Sequence, residues 1–226
     1  MPLSFPGIPA VRVETGGLFP VHRIYCVGRN YADHARERGS DPDREPPFFF
    51  MKPADAAVQT KDVPYPPRTR ALHHEVELVL ALGGGGADIP LEEAPAAIFG
   101  LAVGVDLTRR DLQDAAKEIG RPWDMGKGFD ASAPVGAILP KPERCISPGT
   151  GIRLFVDGKP RQKGTLSQMI WSPAEIVARL SQYVTLAPGD LIFTGTPAGV
   201  GPLAPGARVR AEIDGLPVLE FSIVAR

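Results

Sequence analysis

The sequence predicts an α+β fold built mostly of strands, on three observations. Short apolar runs recur along the chain, separated by turn residues. Asp157-Gly158 and Asp214-Gly215 each sit between apolar stretches, the strongest short-range hairpin signal. Helical periodicity is confined to a few short segments, so strands and helices do not alternate as a doubly wound parallel sheet requires.

In chain order, strands are predicted at 23–28 (RIYCVG), 75–82 (EVELVLAL), 99–107 (FGLAVGVDL) and 135–139 (VGAIL). Further strands follow at 152–158, 190–195, 208–214 and 217–224. Pro148-Gly149, Pro188-Gly189 and Pro205-Gly206 mark turns. A helix is predicted over 172–184: Ser172 caps it, Pro173 suits its first turn and Glu175 completes a capping box. Ile176, Val177, Leu180 and Val184 give it one apolar face. A second helix is predicted over 109–120 with Gly120 as its stop, and a short third over 30–39. Residues 38–48, polar and proline-rich, are predicted to form a mobile loop.

The 226 residues suit one domain with a sizeable core. Lys plus Arg total 25 against 26 for Asp plus Glu, which offers no argument for a nucleic-acid partner. No apolar run approaches the roughly 18 residues of a membrane span. The N-terminus, MPLSFPGIPAVRVETGG, lacks the basic and apolar regions of a signal peptide. Cys26 and Cys145 form no CxxC pair, and two cysteines make a poor disulfide framework, so a reduced, cytoplasmic compartment is expected. Gly and Pro, 25 each, are read as tight turns because the apolar fraction is 43%.

The run HHEVELVLAL carries the chemistry. Glu75 and Glu77 are two apart, so in a strand they share a face, and like charges side by side on a half-buried sheet are costly. A hard divalent cation such as Mg²⁺ or Mn²⁺, which takes oxygen ligands, would explain them. Asp106, ending the apolar run FGLAVGVD, is the best third donor. The same residues also fit a solvated carboxylate face, with Asp106 capping the following helix. His73 and His74 would suit zinc, but adjacent strand residues face opposite ways, so a supporting or packing role is expected for them.

His34 and Glu37 are three apart in a predicted helix and can meet on one face. A carboxylate that orients an imidazole makes a general base, although a surface pair has the same spacing. Lys127, between glycines in DMGKGFD, can neutralise an oxyanion, or be a solvated loop lysine. GTPAGVG (195–201) lacks the GK[ST] ending of a phosphate-binding loop, no GxGxxG is present, and no GxSxG elbow supports an acyl-enzyme.

Six segments in order, YCVGRNYADHARE, FMKPADA, HHEVEL, VGVDLTRRDLQD, PWDMGKGFD and GDLIFTGTPAGVG, resemble the fumarylacetoacetate hydrolase family, in its short branch of acylpyruvate and fumarylpyruvate hydrolases. The resemblance implies a mixed β-sandwich or roll of the fumarylacetoacetase C-terminal type over residues 22–226, preceded by an N-terminal segment, 1–21, and commonly dimeric. It implies that Glu75, Glu77 and Asp106 bind Mg²⁺ or Mn²⁺. His34 and Glu37 become a catalytic dyad on a lid at about 29–47, with Lys127 in the site. Arg110, Gln113 and Thr196 fall where substrate contacts are expected. The implied reaction is hydrolysis of the C–C bond of a β-diketo acid to pyruvate and a carboxylic acid. The same site chemistry supports decarboxylation of oxaloacetate, and isomerisation or decarboxylation of unsaturated oxo-acids in aromatic catabolism. A non-catalytic metal-binding domain is the distant alternative, and it predicts loss of the dyad, which this sequence retains. Arg29, Arg68 and Arg70 are candidates to meet a distal carboxylate and receive no role from the sequence.

Overall fold

A computed structural model describes residues 7–32, 45–140, 147 and 149–226. Two sheets face each other across the main core. The six-stranded sheet runs in the order Leu139–Pro140, Ile98–Val105, Val76–Leu82, Asp190–Phe193, Arg23–Gly28, Phe48–Lys52. The five-stranded sheet runs Lys159–Thr165, Gly151–Val156, Arg208–Ile213, Leu219–Val224, Asp62–Pro64. Neighbours are antiparallel except Asp190–Phe193 beside Arg23–Gly28 and Leu219–Val224 beside Asp62–Pro64. The predicted mostly-β α+β sandwich is therefore what the chain forms.

Burial on both faces explains why VELVLAL reads as a continuous apolar run. All seven residues of Val76–Leu82 are buried. Leu78, Leu80 and Leu82 point into the core shared with Ile152, Leu154 and Ala211 of the second sheet and with Ile176, Val177 and Leu180. Val79 and Ala81 point the other way, into a smaller core with Ile24, Cys26, Leu191 and Phe193. That smaller core is closed by Val11 and Phe19 from the hairpin Ala10–Arg12/Leu18–Pro20, so this hairpin packs directly on the sheet.

Local signals were accurate where short-range chemistry governs. Asp157 (φ 51°) and Gly158 (φ 74°) both take positive φ, as a type I′ turn demands, and join Gly151–Val156 to Lys159–Thr165. Asp214-Gly215 opens the longer connection between Arg208–Ile213 and Leu219–Val224. The helix predicted over 172–184 spans Pro173–Leu180, and the Ser172–Glu175 capping box is present. The helix predicted over 109–120 spans Arg110–Glu118, with Gly120 at φ 65°.

Three corrections concern long-range pairing. The strand predicted at 135–139 is two short pieces, Ala133–Pro134 and Leu139–Pro140, each held by a different partner strand. The strand at 75–82 starts at Val76, and Leu72–His74 belongs to a separate three-stranded sheet with Thr108–Arg109 and Gly201–Leu203. Phe48–Lys52, where a proline-rich loop was expected to end, is an edge strand of the main sheet. Most of the helix predicted over 30–39 and most of the 38–48 loop fall outside the described residues.

Candidate metal centre

The antiparallel register Val76↔Val105 places Glu75 and Asp106 just beyond the paired ends of the two central strands. The Asp106 N–H donates to the Glu75 carbonyl at 2.8 Å, closing that corner. Glu77 lies one pleat further in. One carboxylate oxygen from each of Glu75, Glu77 and Asp106 can be chosen so that all lie within 4.8 Å of one another, and all three residues are buried. The solvated-face reading is thus excluded. Asp106 does not cap the following helix either: that helix has no side-chain cap at its N-cap, and Asp111 accepts from the Leu112 N–H of its first turn (3.0 Å) as well as from the Arg70 N–H and the Thr69 hydroxyl.

Cations close the cluster. Lys127 Nζ, from the short helix Asp124–Lys127, donates to Asp106 Oδ2 (2.6 Å), Thr108 Oγ1 (2.7 Å) and Glu75 Oε2 (2.9 Å). Arg110 pairs with the other Glu75 oxygen and donates to Gln113 Oε1 at 2.5 Å. Burial opposes the charge on Lys127, but Asp106 and Glu75 outweigh it and hold its pKa above the ordinary lysine value. Glu77 is different. Burial first, then the charges of Asp106 and Glu75, push its carboxyl well above the usual range, although Lys127 and the Gly195 N–H (2.7 Å) pull the other way.

The donor set suits a hard cation. It is all oxygen and doubly or triply anionic, and Asp106 Oδ1 is buried without a hydrogen bond although Lys52 Nζ lies 2.8 Å away. Neither histidine belongs to it. His74 Nδ1 lies 2.9 Å from Gln162 Oε1, which also accepts from the Val76 N–H, and burial pushes the imidazole below the ordinary histidine pKa. His74 thus packs behind the site, as its position in the strand predicted.

Lys127, Arg110, Gln113 and Thr196 line one cavity with Glu75 and Glu77. The Thr196 hydroxyl is already committed: it donates to the Val76 carbonyl (2.7 Å) and accepts from Gln162 Nε2 (2.8 Å). Of Arg29, Arg68 and Arg70, Arg29 is the one that lines this cavity. His34 and Glu37 lie outside the described residues.

Two buried residues escaped the sequence reading. Lys52 ends an apolar strand, FFFMK, with its side chain fully buried and its ammonium against Asp106. A lysine closing an aromatic run before Pro53 was the available signal. Asn30 is the other. Its amide donates to the carbonyls of Trp171 (2.9 Å) and Thr194 (2.7 Å) and accepts from the Trp171 N–H (2.7 Å). It thereby holds Gly195, whose N–H reaches Glu77; at φ 99°, with Asn30 Cβ 2.7 Å from where a side chain would start, that position accepts only glycine. Asn30→Ala removes three buried hydrogen bonds to the backbone and is expected to cost about 2–4 kcal/mol in urea unfolding.

The match to known proteins follows this geometry. Residues 23–224 match the family described as fumarylacetoacetate (FAA) hydrolase C-terminal. The chain belongs to the fumarylacetoacetate hydrolase family. A crystal structure of fumarylpyruvate hydrolase from Pseudomonas aeruginosa in complex with Mn²⁺ and pyruvate is 50% identical, covers 100% of both chains and superposes with a TM-score of 0.95. A mitochondrial oxaloacetate tautomerase from Arabidopsis thaliana is 41% identical over 90% of this chain and 92% of its own. A mitochondrial oxaloacetate decarboxylase from Dictyostelium discoideum is 39% identical over 94% of this chain and 96% of its own. As a member of this family the chain is a metal enzyme using Mg²⁺ or Mn²⁺. Among the described residues, no helix is long and apolar enough to cross a membrane.

Proposed function

We propose that the enzyme hydrolyses the C–C bond of an acylpyruvate, fumarylpyruvate or a relative of it, with Glu75, Glu77 and Asp106 as metal ligands. The observation that carries this reading is the convergence of three buried carboxylates on one point beside the buried ammonium of Lys127. The 50% identity to a fumarylpyruvate hydrolase supports it. The metal, when bound, supplies Lewis acidity at the 2-oxo acid end of the substrate. Arg110 and Gln113 orient that end. His34, polarised by Glu37, takes a proton from a water, whose oxygen adds to the distal carbonyl. Lys127 stabilises the oxyanion, and its hydrogen bonds to Glu75 and Asp106 keep it charged for that task. The bond from that carbonyl carbon to the methylene then breaks. Its electron pair leaves on the pyruvate fragment, which takes up a proton, and the other product is a carboxylic acid.

The test is steady-state turnover of fumarylpyruvate and acetylpyruvate with Mn²⁺. His34→Ala and Glu75→Ala should each lose about 10²–10⁴-fold in kcat. Near wild-type rates in both would sink the mechanism. A second reading rests on the curated relatives that act on oxaloacetate. Decarboxylation and tautomerisation need no attacking water, so products separate the readings: two organic acids mean hydrolysis, CO₂ means decarboxylation, and an enol–keto change alone means tautomerisation. The proposal also carries a homodimer and a cytoplasmic setting; sedimentation of the purified chain checks the first and cell fractionation the second.

Metal binding should depend on pH with a definite sign. Glu77 holds its proton above the usual carboxylate range in the metal-free site. A cation must displace that proton, so Mn²⁺ affinity should climb with pH, by up to about tenfold per unit, and level off above the raised pKa. Calorimetric titrations in two buffers of different ionisation enthalpy would show the released proton; affinity that is flat or falls as pH rises would contradict it.

A further inference from the structure

Beyond the pair Phe193↔Val79, the strand Asp190–Phe193 parts from Val76–Leu82, and the pairing closes with a bond from the Thr194 N–H to the Leu78 carbonyl (3.0 Å). Val76, the residue between Glu75 and Glu77, lies past that point. The bond from the Asp106 N–H to the Glu75 carbonyl makes Val76↔Val105 a non-hydrogen-bonded pair, so the N–H and C=O of Val76 turn away from Ile98–Val105. Two side chains stand where a neighbouring strand would. Gln162 Oε1 accepts from the Val76 N–H (3.0 Å), and the Thr196 hydroxyl donates to the Val76 carbonyl (2.7 Å).

Gln162 ties these bonds together. Its Oε1 also meets His74 Nδ1 (2.9 Å), and its Nε2 donates to Thr196 Oγ1 (2.8 Å) and to the Pro197 carbonyl (2.8 Å). A carbonyl only accepts and a backbone N–H only donates, so Pro197 and Val76 fix which way the amide faces, and His74 Nδ1 carries the proton. Both oxygen lone pairs and both N–H groups of this buried amide are used. One side chain thereby holds the residue that joins Glu75 to Glu77, and the turn that follows Gly195, whose N–H reaches Glu77.

The second sheet is shaped to aim it. Gln162 is the buried residue of Lys159–Thr165. Leu154 lies opposite Gln162 and Phe155 opposite Pro160, so Arg161 is the extra residue of a bulge, the device that re-aims a strand side chain. Gly199, at φ 92°, packs on that bulge: a Cβ there would fall 2.2 Å from the Arg161 carbonyl oxygen. An apolar side chain of the same length would fill the place of Gln162 without the cost of desolvating an amide. It would not hold Val76 and Thr196.

Resting on Glu75 and Glu77 as metal ligands, and on no particular reaction, we propose that Gln162 is a positioning residue of the metal centre with His74 as its support: by fixing Val76 and the Thr196–Pro197 turn it sets where the two carboxylates stand for the cation. Gln162 does not line the cavity and acts only through these partners.

The test titrates Mn²⁺ into the metal-free protein by calorimetry and records the electron paramagnetic resonance of the bound ion, whose line shape reports ligand geometry without turnover. Gln162→Met should weaken Mn²⁺ binding about 10–100-fold, the range for losing a residue that orients a metal ligand, and should change the line shape. His74→Phe removes one donor and should weaken binding about three- to tenfold. The double variant should bind within about twofold of Gln162→Met, because the two residues act through one contact. Val209→Ala, two strands away in the second sheet, removes core packing alone and should bind within about twofold of wild type with an unchanged signal. Wild-type affinity and line shape in Gln162→Met, an equal loss in Val209→Ala, or additive losses in the double variant overturn the proposal. If Gln162→Met does not fold, His74→Phe decides alone, and unchanged affinity and signal there overturn it. A wild type that binds no Mn²⁺ removes the metal centre and this proposal with it, whereas a wild type that binds beside an unaffected Gln162→Met removes the proposal only.

Discussion

Replacing Asp106 by Ala should cost about 3–5 kcal/mol of stability, the largest loss expected from any single change in the site. Asp106 is fully buried, and its two oxygens face two buried ammonium groups, Lys52 at 2.8 Å and Lys127 at 2.6 Å. Among the described residues, removing it leaves Lys52 with the carbonyls of Leu107 and Lys127 and the face of Phe129, no anion, while Lys127 keeps Glu75. An unpaired buried charge is far more costly than the intact pair is favourable. For a chain of this size the loss corresponds to about 2–4 °C of Tm per kcal/mol. Urea unfolding of the metal-free protein is the measurement. The double variant Asp106→Ala with Lys52→Met should recover part of the loss, because it removes the stranded ammonium. A cost below about 1 kcal/mol, or no recovery in the double variant, would show that the cluster is not organised around this carboxylate.

Glu77→Gln should behave in the opposite way, although Glu77 sits within the same cluster. Its pKa is raised by burial and then by Asp106 and Glu75. A carboxyl whose pKa is higher folded than unfolded contributes stability below its unfolded pKa and loses it as pH rises through the folded value. As pH rises above its unfolded pKa, Glu77 therefore works against the metal-free fold. Glutamine has no charge to desolvate and still presents an oxygen to the Gly195 N–H. The metal-free variant should be more stable than wild type by about 1 kcal/mol near neutral pH, or about 2–4 °C in Tm, with the gap closing in acid. Its Mn²⁺ affinity should fall by at least about 100-fold, beyond what loss of an outer-shell partner costs. Lower stability at neutral pH would contradict the account. The two substitutions together separate a carboxylate that the fold needs from one that only the cation needs.

Several elements were legible because their causes are local. The type I′ hairpin at Asp157-Gly158 and the Ser172–Glu175 capping box depend on neighbours within three residues, and both are present. The carboxylate site was legible for another reason. Glu75 and Glu77 interrupt an apolar run, and a charge in such a run needs a buried partner or a cation. Lys52 and Asn30 were not legible in the same way. Lys52 is one lysine among many until Phe48–Lys52 joins the sheet edge and turns it toward Asp106. Asn30 has no sequence neighbour among its partners; Trp171 and Thr194 are more than 140 residues away along the chain.

The sequence by itself determined the fold class, the family, the use of Mg²⁺ or Mn²⁺ and the three carboxylates, since periodicity, turn chemistry and ordered motifs are all written in short stretches. Tertiary structure alone decided how charge is shared. The Val76↔Val105 register sets Glu75 against Asp106, and the buried Lys52, Lys127 and Arg110 converge there from three separate elements. It also decided that Arg29, and neither Arg68 nor Arg70, looks into the cavity. The reason is physical: a charge takes its meaning from the distance to other charges and to water, and in this chain those distances are set by pairings between residues far apart in sequence.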